Sequence, residues 1–145
     1  MDIALLRNSF ESIAERQPLL TRRFYQVLFE RHPEVRSMFG RRSQQAQEQM
    51  LTQALVAVMD HLDDAAWFTE TLEALGAKHA GYGVTDVMYE WVGDALLTTL
   101  AEVAGADWSP ALASEWSRAY AAIAGTMMEG ARKATSAPVE SQTAA

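Results

Sequence analysis

Apolar side chains return every three or four positions along most of this chain, and no stretch alternates strictly between apolar and polar beside a hairpin turn. The pattern predicts an all-α protein. Leu6, Phe10 and Ile13 line a first helix that stops near Pro18; Leu20, Phe24, Val27 and Leu28 line a second that must end before Pro33, because proline disfavours helical geometry in the residue before it. Pro33 to Phe39 accommodates one or two turns closed by Gly40, and Ser43 is placed to cap a long helix striped by Gln47, Leu51, Ala54, Leu55, Val58 and Leu62. Asp63 or Asp64 caps the next helix, whose stripe is Phe68, Leu72, Leu75 and His79. Thr85 or Asp86 opens a fifth, with Tyr89, Val92, Leu96, Leu100 and Val103 on one face and Gly105 at its end. Ser109-Pro110 starts the last, lined by Leu112, Trp116, Tyr120, Ile123 and Met127. One helical domain over residues 1–133 is expected, with 134–145 a disordered tail too poor in apolar residues to join a core.

At 145 residues the chain suits a single domain and can bury roughly 68–70% of the surface its unfolded form exposes. It has no cysteine, so disulfides, thiolate metal sites and cysteine nucleophiles are excluded, and a reducing cytoplasm is the expected setting. Charge interrupts the N-terminus too early for a signal-peptide core, and no apolar run reaches the roughly 18 residues of a membrane span. A formal net charge of −7, with no basic run longer than Arg41-Arg42, argues against nucleic acid. No His-Glu-x-x-His, glycine-rich phosphate loop or nucleophile elbow is present to support hydrolase or nucleotide chemistry.

The candidate chemistry therefore rests on a few side chains. His79 closes an apolar stripe and faces inward, immediately before Gly81-Tyr82-Gly83. A histidine so placed is more often a packed core residue than a ligand, but the glycines would let two helices and a flat cofactor approach closely. Tyr89 is placed to reach the ring's second nitrogen, as a ligating histidine requires. Gln47 heads an otherwise apolar stripe with Leu51 one turn later on the same face, and a solvent-facing glutamine at a helix start is the alternative. Tyr25 beside Phe24 reads equally as a boundary tyrosine, and Phe39 before Gly40 as core filler. His32, before Pro33, is expected in solvent; His61 lies fourteen residues after Gln47, about 21 Å along a helix, so the two cannot serve one site.

Taken in order, Phe24 to Phe29 with His32-Pro33-Glu34 through Met38-Phe39, then Gln47 with Leu51, Leu75 to His79, Tyr89 to Asp94 continuing to Leu97, and Glu115 to Tyr120 resemble the globin family, in particular single-domain bacterial globins and the haem domain of flavohaemoglobins. The resemblance covers about residues 2 to 130. It implies a globin fold of six to eight helices around a pocket for haem b (iron protoporphyrin IX), with His79 as the proximal iron ligand. Tyr25 and Gln47, with Leu51, would form the distal pocket, and Phe39 the aromatic wedged against the porphyrin. Lys78, Val84, Tyr89, Val92 and Met127 would be further cofactor contacts. Of the family's proximal histidine, tyrosine and glutamate, His79 and Tyr89 match, but Ala131 stands at the glutamate position and Glu129 lies two residues short. The iron–histidine bond is therefore expected to resemble that of an oxygen carrier.

The function so implied is reversible O2 binding, for storage or transport, at a five-coordinate ferrous iron, with CO and NO as further ligands. The alternatives are a nitric oxide dioxygenase served by a separate reductase, and a haem-based gas sensor or interaction module. A cytoplasmic monomer or small homo-oligomer is expected, with no membrane span and no nucleic-acid partner.

Overall fold

The computed structural model describes residues 1–39 and 42–136, and in these the chain is helical with no strands. Six α-helices follow one another: α1 (Ile3–Ala14), α2 (Gln17–Arg31), α3 (Gln44–Asp60), α4 (Ala65–Gly81), α5 (Asp86–Ala104) and α6 (Pro110–Thr135). Short 3₁₀ segments, Pro33–Phe39 and Gly105–Asp107, follow α2 and α5. The helix starts are set by local chemistry: the side chains of Asp2, Ser43, Asp64 and Ser109 each accept the backbone N–H three residues on, satisfying a donor that the first turn leaves free. Thr85 precedes α5 without such a bond. Residues 137–145, most of the expected tail, lie outside the described residues, and α6 continues through Thr135.

Helix ends use side chains from elsewhere in the fold. Arg7 of α1 donates to the carbonyls of Met59 and Asp60 at the close of α3 and pairs with Asp63 at 3.0 Å. Arg16 donates to the Val103 carbonyl near the end of α5. Cations at these C-termini complement the helix dipole as well as the unpaired carbonyls. The termination of α3 at Asp60 also corrects the stripe expected to run to Leu62. His61 turns its N–H back to Val58, bonds Nδ1 to the Ala57 carbonyl and stacks on Trp67 with ring centroids 4.1 Å apart. His32, expected in solvent, instead lies flat on Trp91 at 4.4 Å.

The core is continuous across all six helices, with Leu6, Ile13, Leu20, Leu28, Leu72 and Leu100 almost fully buried. α2 lies along α5, joined at its rim by Arg23–Glu102 and Arg31–Asp94, and α4 lies along α6. On α5 the buried face contains two residues that a stripe of large apolar side chains does not announce. Thr99 is fully buried, its hydroxyl donating to the Ala95 carbonyl at 2.7 Å. Gly93 lies under the Tyr120 ring, where a Cβ would come within 2.5 Å of a ring carbon. Tyr120 is locked there by a 2.6 Å hydrogen bond from its hydroxyl to the Tyr89 carbonyl. Gly93→Ala is therefore expected to destabilise the protein by about 1–3 kcal/mol through overpacking, read as a lower Tm; an unchanged Tm would mean the ring moves freely.

Candidate functional site

α2, the 3₁₀ turn and α3 bring Tyr25, Phe39 and Gln47 together. Tyr25 is buried, packed edge-on to Phe39 with centroids 5.6 Å apart and beside Phe29 at 5.8 Å. Its hydroxyl donates to the Gln47 backbone carbonyl at 3.3 Å, and the Gln47 side-chain amide donates to the Phe39 carbonyl at the same distance. Both bonds are long, so two side-chain donors rest on weakly held backbone acceptors at one place. Burial, with the nearby Glu48 carboxylate adding to it, pushes the Tyr25 phenol up to about 12, so it remains a proton donor through the neutral range. Leu51, one turn after Gln47, is half-buried.

His79 lies near the end of α4, half-buried, with Tyr82 at 6.2 Å between ring centroids. Its Nδ1 is 2.8 Å from the carbonyl oxygen of Leu75 on the preceding turn. A carbonyl can only accept, so Nδ1 carries a proton, and in the neutral ring this leaves the lone pair on Nε2. This differs from the expected bond to Tyr89, because the helix supplies an acceptor at the right height by itself. The Tyr89 hydroxyl is buried and has no hydrogen-bond partner among the described residues, and burial raises its ionisation above the usual phenol range. Nor does Glu129 reach it: that carboxylate is held by Arg132 at 2.5 Å, which draws its protonation below the ordinary carboxylate range.

The remaining candidates are Val84 in the α4–α5 turn and Val92 on α5, both half-buried, Met127 of α6, buried, and Lys78, exposed beside His79. The glycines after His79 do not serve close approach within the protein. Among the described residues nothing lies within 4 Å of a Cβ at Gly81 or Gly83, and Gly83 is required by its φ of +90° in the turn. Leu75, expected only as part of the apolar stripe, also fixes the imidazole through its backbone carbonyl. A backbone role of this kind leaves no side-chain signal.

α3 packs on α1 and α2 but forms no extensive pairing with α4 or α5. The apolar side chains Phe39, Leu51, Leu55, Leu75, Val84 and Val92 are accordingly only half-buried. Among the described residues no group of three or more histidine, aspartate or glutamate side chains is arranged to hold a metal ion. A metal held through His79 would have to bring most of its other ligands with it.

The sequence profile of the globin family matches residues 22–127. Flavohemoproteins of Bacillus cereus and Bordetella pertussis are each 32% identical, over 84% and 83% of this chain; the match spans 30% and 31% of their own lengths, so the chain corresponds to less than a third of either. In solved structures, an engineered carbene transferase from Rhodothermus marinus, whose parent is named a nitric oxide dioxygenase, is 26% identical with a TM-score of 0.79, over 99% of this chain and 96% of that one. A bacterial globin from Campylobacter jejuni shares the fold at 23% identity and a TM-score of 0.77, over 90% of this chain and 94% of its own. With a profile spanning most of its length, relatives above 30% identity and an all-helical architecture shared with bacterial globins, the chain belongs to the globin family.

Proposed function

We propose that this protein binds haem b through His79 and uses it to bind O2 reversibly. The observation that carries the reading is the His79 imidazole, with Nδ1–H tied to Leu75 and Nε2 left as a lone-pair donor on a half-buried ring. The half-exposed apolar side chains of α3, α4 and α5 suit a flat apolar macrocycle, and haem, which carries its own metal-binding nitrogens, would need only His79 from the protein. When bound, ferrous haem supplies a site at which a diatomic gas binds reversibly.

The protein's own residues do the rest. His79 holds the cofactor from the proximal side, and Phe39, Leu51, Val84, Val92 and Met127 pack against its apolar body. Lys78, exposed next to the ligand, offers a cation to its carboxylates. Tyr25 and Gln47 supply O–H and N–H donors on the distal side, replacing their long bonds to backbone carbonyls with bonds to a polarised guest. Tyr89 would be a further cofactor contact, and the Leu75 carbonyl on the His79 Nδ1 proton would fix the orientation of the ring. The expected test result is uptake of one haem per chain, with a ferrous spectrum that switches reversibly as O2 is exchanged for nitrogen. A protein that takes up no haem would end the reading.

A second reading, nitric oxide dioxygenation, is favoured by the likeness to the Rhodothermus protein and to flavohemoproteins. It needs an electron donor such as a separate reductase to restore the ferrous state. Mixing the oxygenated protein with NO, and following nitrate and repeated re-reduction by cell extract, separates the two: one stoichiometric turnover marks a carrier.

A further inference from the structure

A glycine on each of α4 and α6 faces the backbone of the other helix, and the two contacts are reciprocal. A Cβ on Gly76 of α4 would lie 1.8 Å from the Met127 carbonyl oxygen of α6, and a Cβ on Gly130 of α6 would lie 2.0 Å from the Glu73 carbonyl oxygen of α4. Each obstacle is backbone, which cannot swing aside as a side chain can. The two contacts are three residues apart on both helices, so they fix the distance between α4 and α6 and also the position of α4 along α6. Lys133 and Glu73, paired at 2.9 Å, tie the same end of the crossing. Helices that meet through ordinary side chains keep their axes 8–10 Å apart; here the backbones themselves touch.

His79 follows Gly76 by one turn of the same helix, and the carbonyl that fixes its ring belongs to Leu75, next to Gly76. We infer that Gly76 and Gly130 are positioning residues that set the height of the His79 Nε2, an inference that rests on His79 being the iron ligand. Ordinary contact begins near 3.4 Å, so a Cβ at Gly76 moves α4 by more than an ångström unless α6 yields. Metal–ligand distances tolerate only about 0.2 Å, so such a movement must stretch or tilt the bond to iron rather than be absorbed by it. Helix and orienting carbonyl move together, which leaves the ring's tautomer intact and changes only its reach.

The test is a resonance Raman measurement of the iron–imidazole stretch in the ferrous haem protein, in Gly76→Ala and Gly130→Ala, each made alone and in a His79→Gly background supplied with free imidazole. In the first background the band is expected to move to lower frequency, with haem passing to a scavenging apoprotein about tenfold to a hundredfold faster. In the second the imidazole is not tethered to α4, so the glycine substitutions should leave the band where His79→Gly alone puts it. A lowered Tm with an unmoved band, or the same change in both backgrounds, would show that the glycines serve only the stability of the fold. Failure of both single variants to fold overturns the inference as well, since the glycines would then be a condition of folding. A native spectrum in His79→Gly without imidazole is a different result: it rejects His79 as the ligand, and the positioning role with it.

Discussion

His79→Ala is expected to purify with little or no haem and to regain it when imidazole is added. The α4 helix has one side chain with a free lone pair at this end, and its orientation comes from the Leu75 carbonyl rather than from a bound group. A cavity left by the ring is therefore one that a free imidazole can fill. The fold should survive, because His79 is half-buried and its removal leaves the Leu72 and Gly76 packing of α4 untouched. Helical content by circular dichroism should stay near that of the unsubstituted apoprotein, while haem absorbance falls to a small fraction. Full haem content with an unaltered ferrous spectrum would exclude His79 as the ligand.

Tyr25→Phe and Gln47→Ala should each accelerate O2 dissociation by about tenfold to a hundredfold, equivalent to about 1.5–3 kcal/mol for a buried hydrogen bond to a charged acceptor. CO dissociation should change much less. O2 takes on negative charge as it binds and gains from a donor, whereas CO does so weakly. The two donors begin from weak bonds at 3.3 Å to the Gln47 and Phe39 carbonyls, so little is lost when they turn to a guest. Equal acceleration of both gases would point to steric release instead. The sign of the pH effect follows from the Tyr25 phenol, raised to about 12 by burial. A raised value means that the protonated form is the one the fold favours. Its contribution is full below the ordinary phenol value of about 10 and is lost as pH rises toward 12. The O2 off-rate of the unsubstituted protein should therefore be flat up to about pH 10.

Much of the architecture is legible in the chain because its causes are local. Ser43, Asp64 and Ser109 bond to amides three residues away, and the Leu72 to His79 spacing sets a face without reference to any other helix. The all-helical class and the family follow from such patterns. What the chain conceals is decided across space. Gly93 and Gly76 give no periodic signal, and their reasons, the Tyr120 ring and the Met127 carbonyl, lie on another helix. The stripe through Leu62 over-runs α3, whose last carbonyls are taken by Arg7 from α1. Tyr89 illustrates the same limit at the site: its spacing from His79 suggests a bond, but the nearer acceptor, Leu75, wins.

The backbone-to-backbone seat of α4 on α6 also has a consequence for the order in which the molecule is made. Gly76 meets a carbonyl about fifty residues further along the chain, and such distant contacts form late because loop closure must precede them. During synthesis α1, α2 and α3 can begin to associate as they emerge, but the helix that carries His79 has no seat until α6 has followed it. Until then the imidazole is attached to a helix free to shift. The seat of α4 is thus among the last parts of the fold to acquire its final geometry, and on the function proposed above the cofactor would be held at full strength only once α6 has been made.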